Sequence, residues 1–260
     1  MSAHSVDEAR TVPSTTPDRM ARLPLRAELF LLGHNADNNG EPFINVQTLE
    51  VGLAGAILLE LWLNKRIAIG WTFDLTRQQW NPDPGRITLM DDDPIGDTLG
   101  DAAVAAIRHT HYTPQGHDQI RAWLRTFAGN DLYERVRADM LVAGVLRRTS
   151  RRRFGMVKTD MYTAATTTWA IRIRAQIRSA VHGVEHPNQV GRELPDGQRA
   201  ALCVLASVME LAEFMYLTDM PARRLQRLLG HIAEQHHPTI RDVITAVDAG
   251  RGDLAVAAMR

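Results

Sequence analysis

Six cations, Arg147, Arg148, Arg151, Arg152, Arg153 and Lys158, crowd into residues 147–158 with no acid before Asp160. Cations at this density suit two tasks. They can meet anionic phospholipid headgroups, each adding about 1 kcal/mol near a charged surface. They can also pair with acids on a neighbouring copy of the chain, for which Asp91, Asp92 and Asp93 are candidates. Phe154, Met156 and Val157, set around Gly155, suit shallow insertion beside headgroups. Arg172, Arg174 and Arg178 continue the basic material, and Arg174 and Arg178, four apart, share a helix face that is read first as solvated.

Other reactive side chains point to structure. Glu60 interrupts an apolar helix and calls for a hydrogen-bonded or ion-paired partner. Asp97 and Asp101 directly follow Gly96 and Gly100 without the lysine of a phosphate-cradling loop, so Asp97 is read as a helix cap. His109, His111, His117, His231, His236 and His237 lack the converging helical spacing of metal ligands. No nucleophile elbow or paired-carboxylate arrangement is present, so neither an enzyme nor a cofactor or metal site is expected. Cys203 is the sole cysteine, lies in the apolar run 200–208, and reads as a small buried hydrophobe.

The elements that must position these groups are mainly helical. Pro24 opens a short helix through residue 32, and 35–42 is a turn-rich connection. Residues 51–63 form a buried helix, too short and too interrupted by Glu60 to cross a bilayer. Leu49, Leu53, Ile57 and Leu61 recur along it, and Gly52, Gly55 and Ala56 offer a strip for close helix approach. Alternation from Ile67 predicts a strand, with 81–85 as the turn and 86–90 as its hairpin partner. Helices are predicted over 98–109, 118–127, 131–142, 167–181, 198–217, 221–234 and 239–248, and a second hairpin over 147–162. The run 200–215 is apolar nearly all round and predicts an enclosed helix. The fold class is therefore mainly α: central apolar helices surrounded by amphipathic helices, with two small β-hairpins.

Thirty basic and thirty acidic residues cancel, so no global field draws the molecule to nucleic acid, and none is expected as a partner. Residues 1–22, rich in Ser, Thr, Pro and charge, read as a disordered tail without a signal-peptide core, which implies a cytoplasmic protein. Residues 23–260 read as a single helical domain.

Four segments in order, Leu23 to Gly33, Gly52 to Leu61, Asp93 to Asp97 and Glu134 through Gly144 to Leu146, resemble the Golgi phosphoprotein 3 family, and the skew toward arginine points to a bacterial member. The resemblance implies a helical, non-catalytic, peripheral membrane-surface protein. Family members bind phosphatidylinositol 4-phosphate, retain membrane enzymes as clients, and self-associate through a hairpin, here 147–162. Such a protein would sit on the cytoplasmic face of a membrane. The family's headgroup pocket, a tryptophan and three cations, falls here on Asn45, Ala54, Asn130 and Tyr133. None of those types is kept, which removes most of the charge-assisted hydrogen bonding a phosphomonoester needs. Arg135 and Arg137 are possible substitute cations. The function expected is anionic phospholipid headgroup binding, phosphoinositide or other, with an oligomeric interaction scaffold lacking lipid affinity as the alternative.

Overall fold

The computed structural model describes residues 22–35, 40–74, 76–111, 119–153, 157–186, 195–215 and 220–259, with backbone alone at 111, 151–153 and 157–159. The expected tail, apart from Arg22, and Phe154, Gly155 and Met156 lie outside the described residues.

Helix α1 (Leu25–Leu32) leads through a minimal ladder, β1 (His34–Asn35) with β2 (Glu41–Pro42), into α2 (Val46–Leu63). Hairpin β3 (Ile67–Asp74) and β4 (Gln79–Leu89) follows, then α3 (Thr98–His111), α4 (Ile120–Ala128) and α5 (Leu132–Val142). A second hairpin, β5 (Leu146–Arg153) and β6 (Val157–Ala164), precedes α6 (Thr167–Glu185), α7 (Gly197–Val208), a 3-10 turn (Leu211–Phe214), α8 (Ala222–Gln235) and α9 (Pro238–Ala258). The fold is mainly helical, with three small antiparallel two-stranded sheets.

The centre is α2, enclosed by α1, α4, α5, α7 and α9. Leu49, Leu53, Leu58 and Leu59 have no exposed surface. Its small residues work as the spacing predicts. A Cβ on Gly52 would lie 2.9 Å from Met209 Sδ, and one on Gly55 2.6 Å from Val247 Cγ2, so any side chain would push the neighbouring elements off. The helix starts at Val46 and not at Val51, which corrects the expectation that it is too short: among the described residues α2 is the one helix long and apolar enough to cross a bilayer, and 67% of it is buried within the protein. It is a core rod shared with α7, whose residues Ala200 to Ser207 are all buried, Cys203 among them.

Glu60 finds its partner in Arg26 of α1, only 2% exposed. The Arg26 backbone N–H donates to Glu60 Oε1 at 2.7 Å, and the guanidinium binds Glu60 Oε2, Asp97 Oδ1 at 2.6 Å and Asp139 Oδ2 at 3.4 Å. One arginine thus ties α1 to α2, to the start of α3 and to α5. Burial pushes the Glu60 carboxyl up to about 7 against the opposing pull of Arg26. Asp97 also caps α3 as expected, accepting from the Leu99 N–H at 3.3 Å.

Three further expectations need correction. The first hairpin turns at Thr76–Gln78, not at 81–85: Asp74 Oδ1 accepts from the Thr76 and Arg77 N–H groups, and Gln78 takes φ +50°. Pro82 and Pro84 cannot donate to a ladder, yet the outer strand of a two-stranded ribbon tolerates them, so this stretch is an irregularity inside β4. The long helix over 198–217 stops at Val208, because Glu210 adopts φ +56° and the chain continues as a 3-10 turn. The last helix runs on to Ala258, well past 248.

Candidate functional site

The β5–β6 hairpin carries the cationic cluster. Its register pairs Arg148 with Tyr162, Arg151 with Thr159 and Arg152 with Lys158. Directly opposed like charges destabilise an antiparallel pair unless an anion offsets them. The only acid of the hairpin, Asp160, is ion-paired to Arg148. Arg147 is exposed and has no acidic partner among the described residues. Two of the three acids suggested as intersubunit partners are paired within the chain, Asp91 with Arg66 and Asp92 with Arg108 at 3.3 Å, while Asp93, among the described residues, gives only its backbone N–H, to Asp91.

The hairpin is anchored at its base. The Ala165 N–H donates to the Val145 carbonyl at 2.8 Å, and α5 and α6 are its helical neighbours. Gly40, at φ +72°, lets the β1–β2 turn press on the Tyr162 carbonyl, where any Cβ would overlap it. From α5 the Arg137 guanidinium stacks over the Tyr162 ring at 4.0 Å and over Tyr133 at 5.6 Å, and it pairs with Glu134.

Behind Arg137 lies an aromatic stack. Phe30, His34 and Tyr133 have ring centroids 4.0 Å and 5.6 Å apart in sequence, and His34 Nε2 lies 2.8 Å from the Tyr133 hydroxyl. His34 Nδ1 lies 2.5 Å from the Phe30 carbonyl, which fixes it as the donor and leaves Nε2 to accept from Tyr133. Burial, opposed by that carbonyl and aided by the nearby Arg137 charge, holds the imidazole down at about 4. The stack is a rigid neutral wall.

A cavity of about 430 Å³ opens between the first half of α2, helix α4, the 129–131 turn and α9. Arg121 and Arg125 of α4 line it, together with Glu50, Asp131 and Asp253. Arg121 is paired to Asp253 at 3.0 Å, and Arg125 has no acidic partner among the described residues. Asp131 stands at the N-cap of α5 with φ +50°, but its side chain does not cap. The acceptor for the Tyr133 N–H is Glu50, at 3.2 Å.

The model of the Golgi phosphoprotein 3 (GPP34) family matches residues 25–257. The chain belongs to the Golgi phosphoprotein 3 family. No curated protein matches it. None of the four positions where the Golgi phosphoprotein 3 headgroup pocket falls is among the residues lining the cavity between α2, α4 and α9. Asn45 caps α2 by accepting from the Gln47 N–H at 2.8 Å, and Asn130 donates to the Thr126 carbonyl at 2.9 Å. Ala54 has no exposed surface, and Tyr133 is committed to His34. Arg135 is exposed and Arg137 is occupied by Glu134 and two rings, so neither lines the cavity.

On α6, Arg174 and Arg178 flank a shallow open depression with Ile171 and His182. Trp71, Phe73 and Trp80, 44%, 39% and 40% exposed, form an aromatic face at the tip of the first hairpin, the last two with ring centroids 5.2 Å apart. Alternation flagged the first two as strand residues, but only the long β4 brings Trp80 opposite Phe73 and turns the trio outward. The cavity cations Arg121 and Arg125, four apart on α4, carried no sequence signal because α2 and α9 supply the rest of the wall.

Proposed function

We propose that this member of the Golgi phosphoprotein 3 family is a non-catalytic, cytoplasmic, peripheral protein that meets anionic phospholipid surfaces through the β5–β6 hairpin, and that it can hold membrane enzymes there as an adaptor. The observation that carries this reading is the register of Arg152 opposite Lys158 between Arg151 and Arg153, with the single hairpin acid already taken by Arg148. A ribbon so charged is completed by an external anion, and a lipid surface supplies many at once. Family membership supports the same direction, since its members recognise phosphatidylinositol 4-phosphate. The loss of all pocket cations argues for contact with bulk anionic lipid over that one headgroup. The aromatic trio Trp71, Phe73 and Trp80 adds side chains suited to a membrane–water interface.

Co-sedimentation with vesicles tests it. Binding should appear with anionic vesicles, weaken as salt is raised, and vanish in Arg151→Glu/Arg152→Glu/Arg153→Glu. Equal pelleting with neutral and anionic vesicles would sink the reading and leave the oligomeric scaffold in its place.

A further inference from the structure

We infer that the cavity between α2, α4 and α9 binds an amphipathic zwitterion, a molecule joining a primary ammonium and one anionic group to an apolar chain. Its volume of about 430 Å³ is that of a small-ligand site. The charges decide the class. Arg121 and Asp253 neutralise one another at 3.0 Å. What remains among the lining residues is Arg125 with Glu50 and Asp131, one cation and two carboxylates. A phosphomonoester would meet repulsion from both acids. A zwitterion places its ammonium between them and its anionic group on Arg125.

The backbone supports this assignment. Asp131 occupies the N-cap of α5 in a left-handed conformation unusual for a residue other than glycine. Such a residue ordinarily gives its carboxylate to the helix, yet Glu50 from α2 accepts from the Tyr133 N–H. The Asp131 carboxylate thus makes no capping bond, and the residue lines the cavity. Val51, Leu124, Ala246 and Leu254 supply the apolar surface for the chain. The site is independent of the hairpin cations, so its failure leaves the membrane-surface reading standing, and the reverse.

The test is calorimetric titration of the full chain with lysophosphatidylethanolamine and lysophosphatidylglycerol of equal chain length below their micellar concentrations, and with the soluble phosphodiester glycerophosphoethanolamine. One-to-one saturable binding of lysophosphatidylethanolamine is expected, about tenfold or more tighter than lysophosphatidylglycerol. Asp131→Asn, which keeps a residue tolerant of the left-handed turn, should weaken lysophosphatidylethanolamine about tenfold and narrow the preference. Arg125→Gln should weaken both lipids, and Arg135→Gln, outside the cavity, neither. Much weaker binding of glycerophosphoethanolamine is expected, because it lacks the apolar chain; binding as tight as that of the lysolipid overturns the amphipathic part of the inference. Equal or tighter binding of lysophosphatidylglycerol overturns the inference, as does saturable binding of neither zwitterion or an Asp131→Asn variant indistinguishable from the parent.

Discussion

The Tyr133 N–H at the start of α5 donates to the carboxylate of Glu50, a residue of α2, at 3.2 Å. The helix is capped by its neighbour and not by its own N-cap residue. Glu50→Ala should therefore cost about 1 kcal/mol, the usual loss when a capping acceptor is removed. Urea denaturation checks this, and a midpoint equal to the parent's would show that Asp131 or water takes over the cap.

Arg26 is the counter-charge for three carboxylates on three elements. Arg26→Met leaves Glu60 buried without its cation, and a broken buried pair of this kind costs about 3–5 kcal/mol. The double variant Arg26→Met/Glu60→Met should recover much of that loss, because an apolar pair of similar volume suits a buried site. Thermal melting of the two variants side by side reads the difference. A single variant as stable as the parent would contradict the hub.

His34 is held neutral by burial, with its pKa lowered from 6.5 to about 4. The unfolded chain binds the extra proton first, so stability from this group is full above pH 6.5 and is lost as pH falls toward 4. The loss amounts to up to about 3 kcal/mol. Glu60, raised to about 7, acts with the opposite sign: its contribution is full below its ordinary value of 4.5 and falls as pH rises toward 7. The comparison of parent with His34→Gln isolates the histidine. The variant should lose less stability than the parent between pH 6.5 and 4, and parallel curves would refute the assignment.

Trp71→Ala/Trp80→Ala removes two rings that are 44% and 40% exposed. Stability should fall by no more than about 1 kcal/mol, the scale of a cross-strand aromatic pair. Partition into vesicles should drop in neutral and anionic lipid alike, in contrast to the hairpin charge reversal. Unchanged partition would assign the face to another partner.

The sequence announces those elements whose pattern is set by local period. The four-residue recurrence of Leu49, Leu53, Ile57 and Leu61 and the alternation from Ile67 are each sufficient, and both elements form where they predict. Pro82 and Pro84 mislead because a breaker marks either a turn or an outer strand, and only the pairing of Gln79 with Asp74 decides which. Glu210 gives no warning that it will adopt φ +56° and end α7. Arg26 sits among leucines with the look of a surface residue; its burial depends on Asp97 and Asp139, distant in the chain. The hairpin cations are legible because they are contiguous. The cavity is not, because its walls come from three helices whose separations no local pattern encodes.

The central rod has a consequence during synthesis. Helix α2 ends at Leu63, while two elements that cover it begin only at Gly197 and Pro238. Until those leave the ribosome, a stretch of bilayer-spanning length and oiliness lacks part of its cover in the nascent chain, open to membrane-insertion machinery and chaperones. Glu60, near its far end, makes entry into lipid costly and is given a cation by Arg26, already made. The same carboxylate that fastens the finished protein through Arg26 thus also disfavours burial of the unfinished one in the wrong solvent.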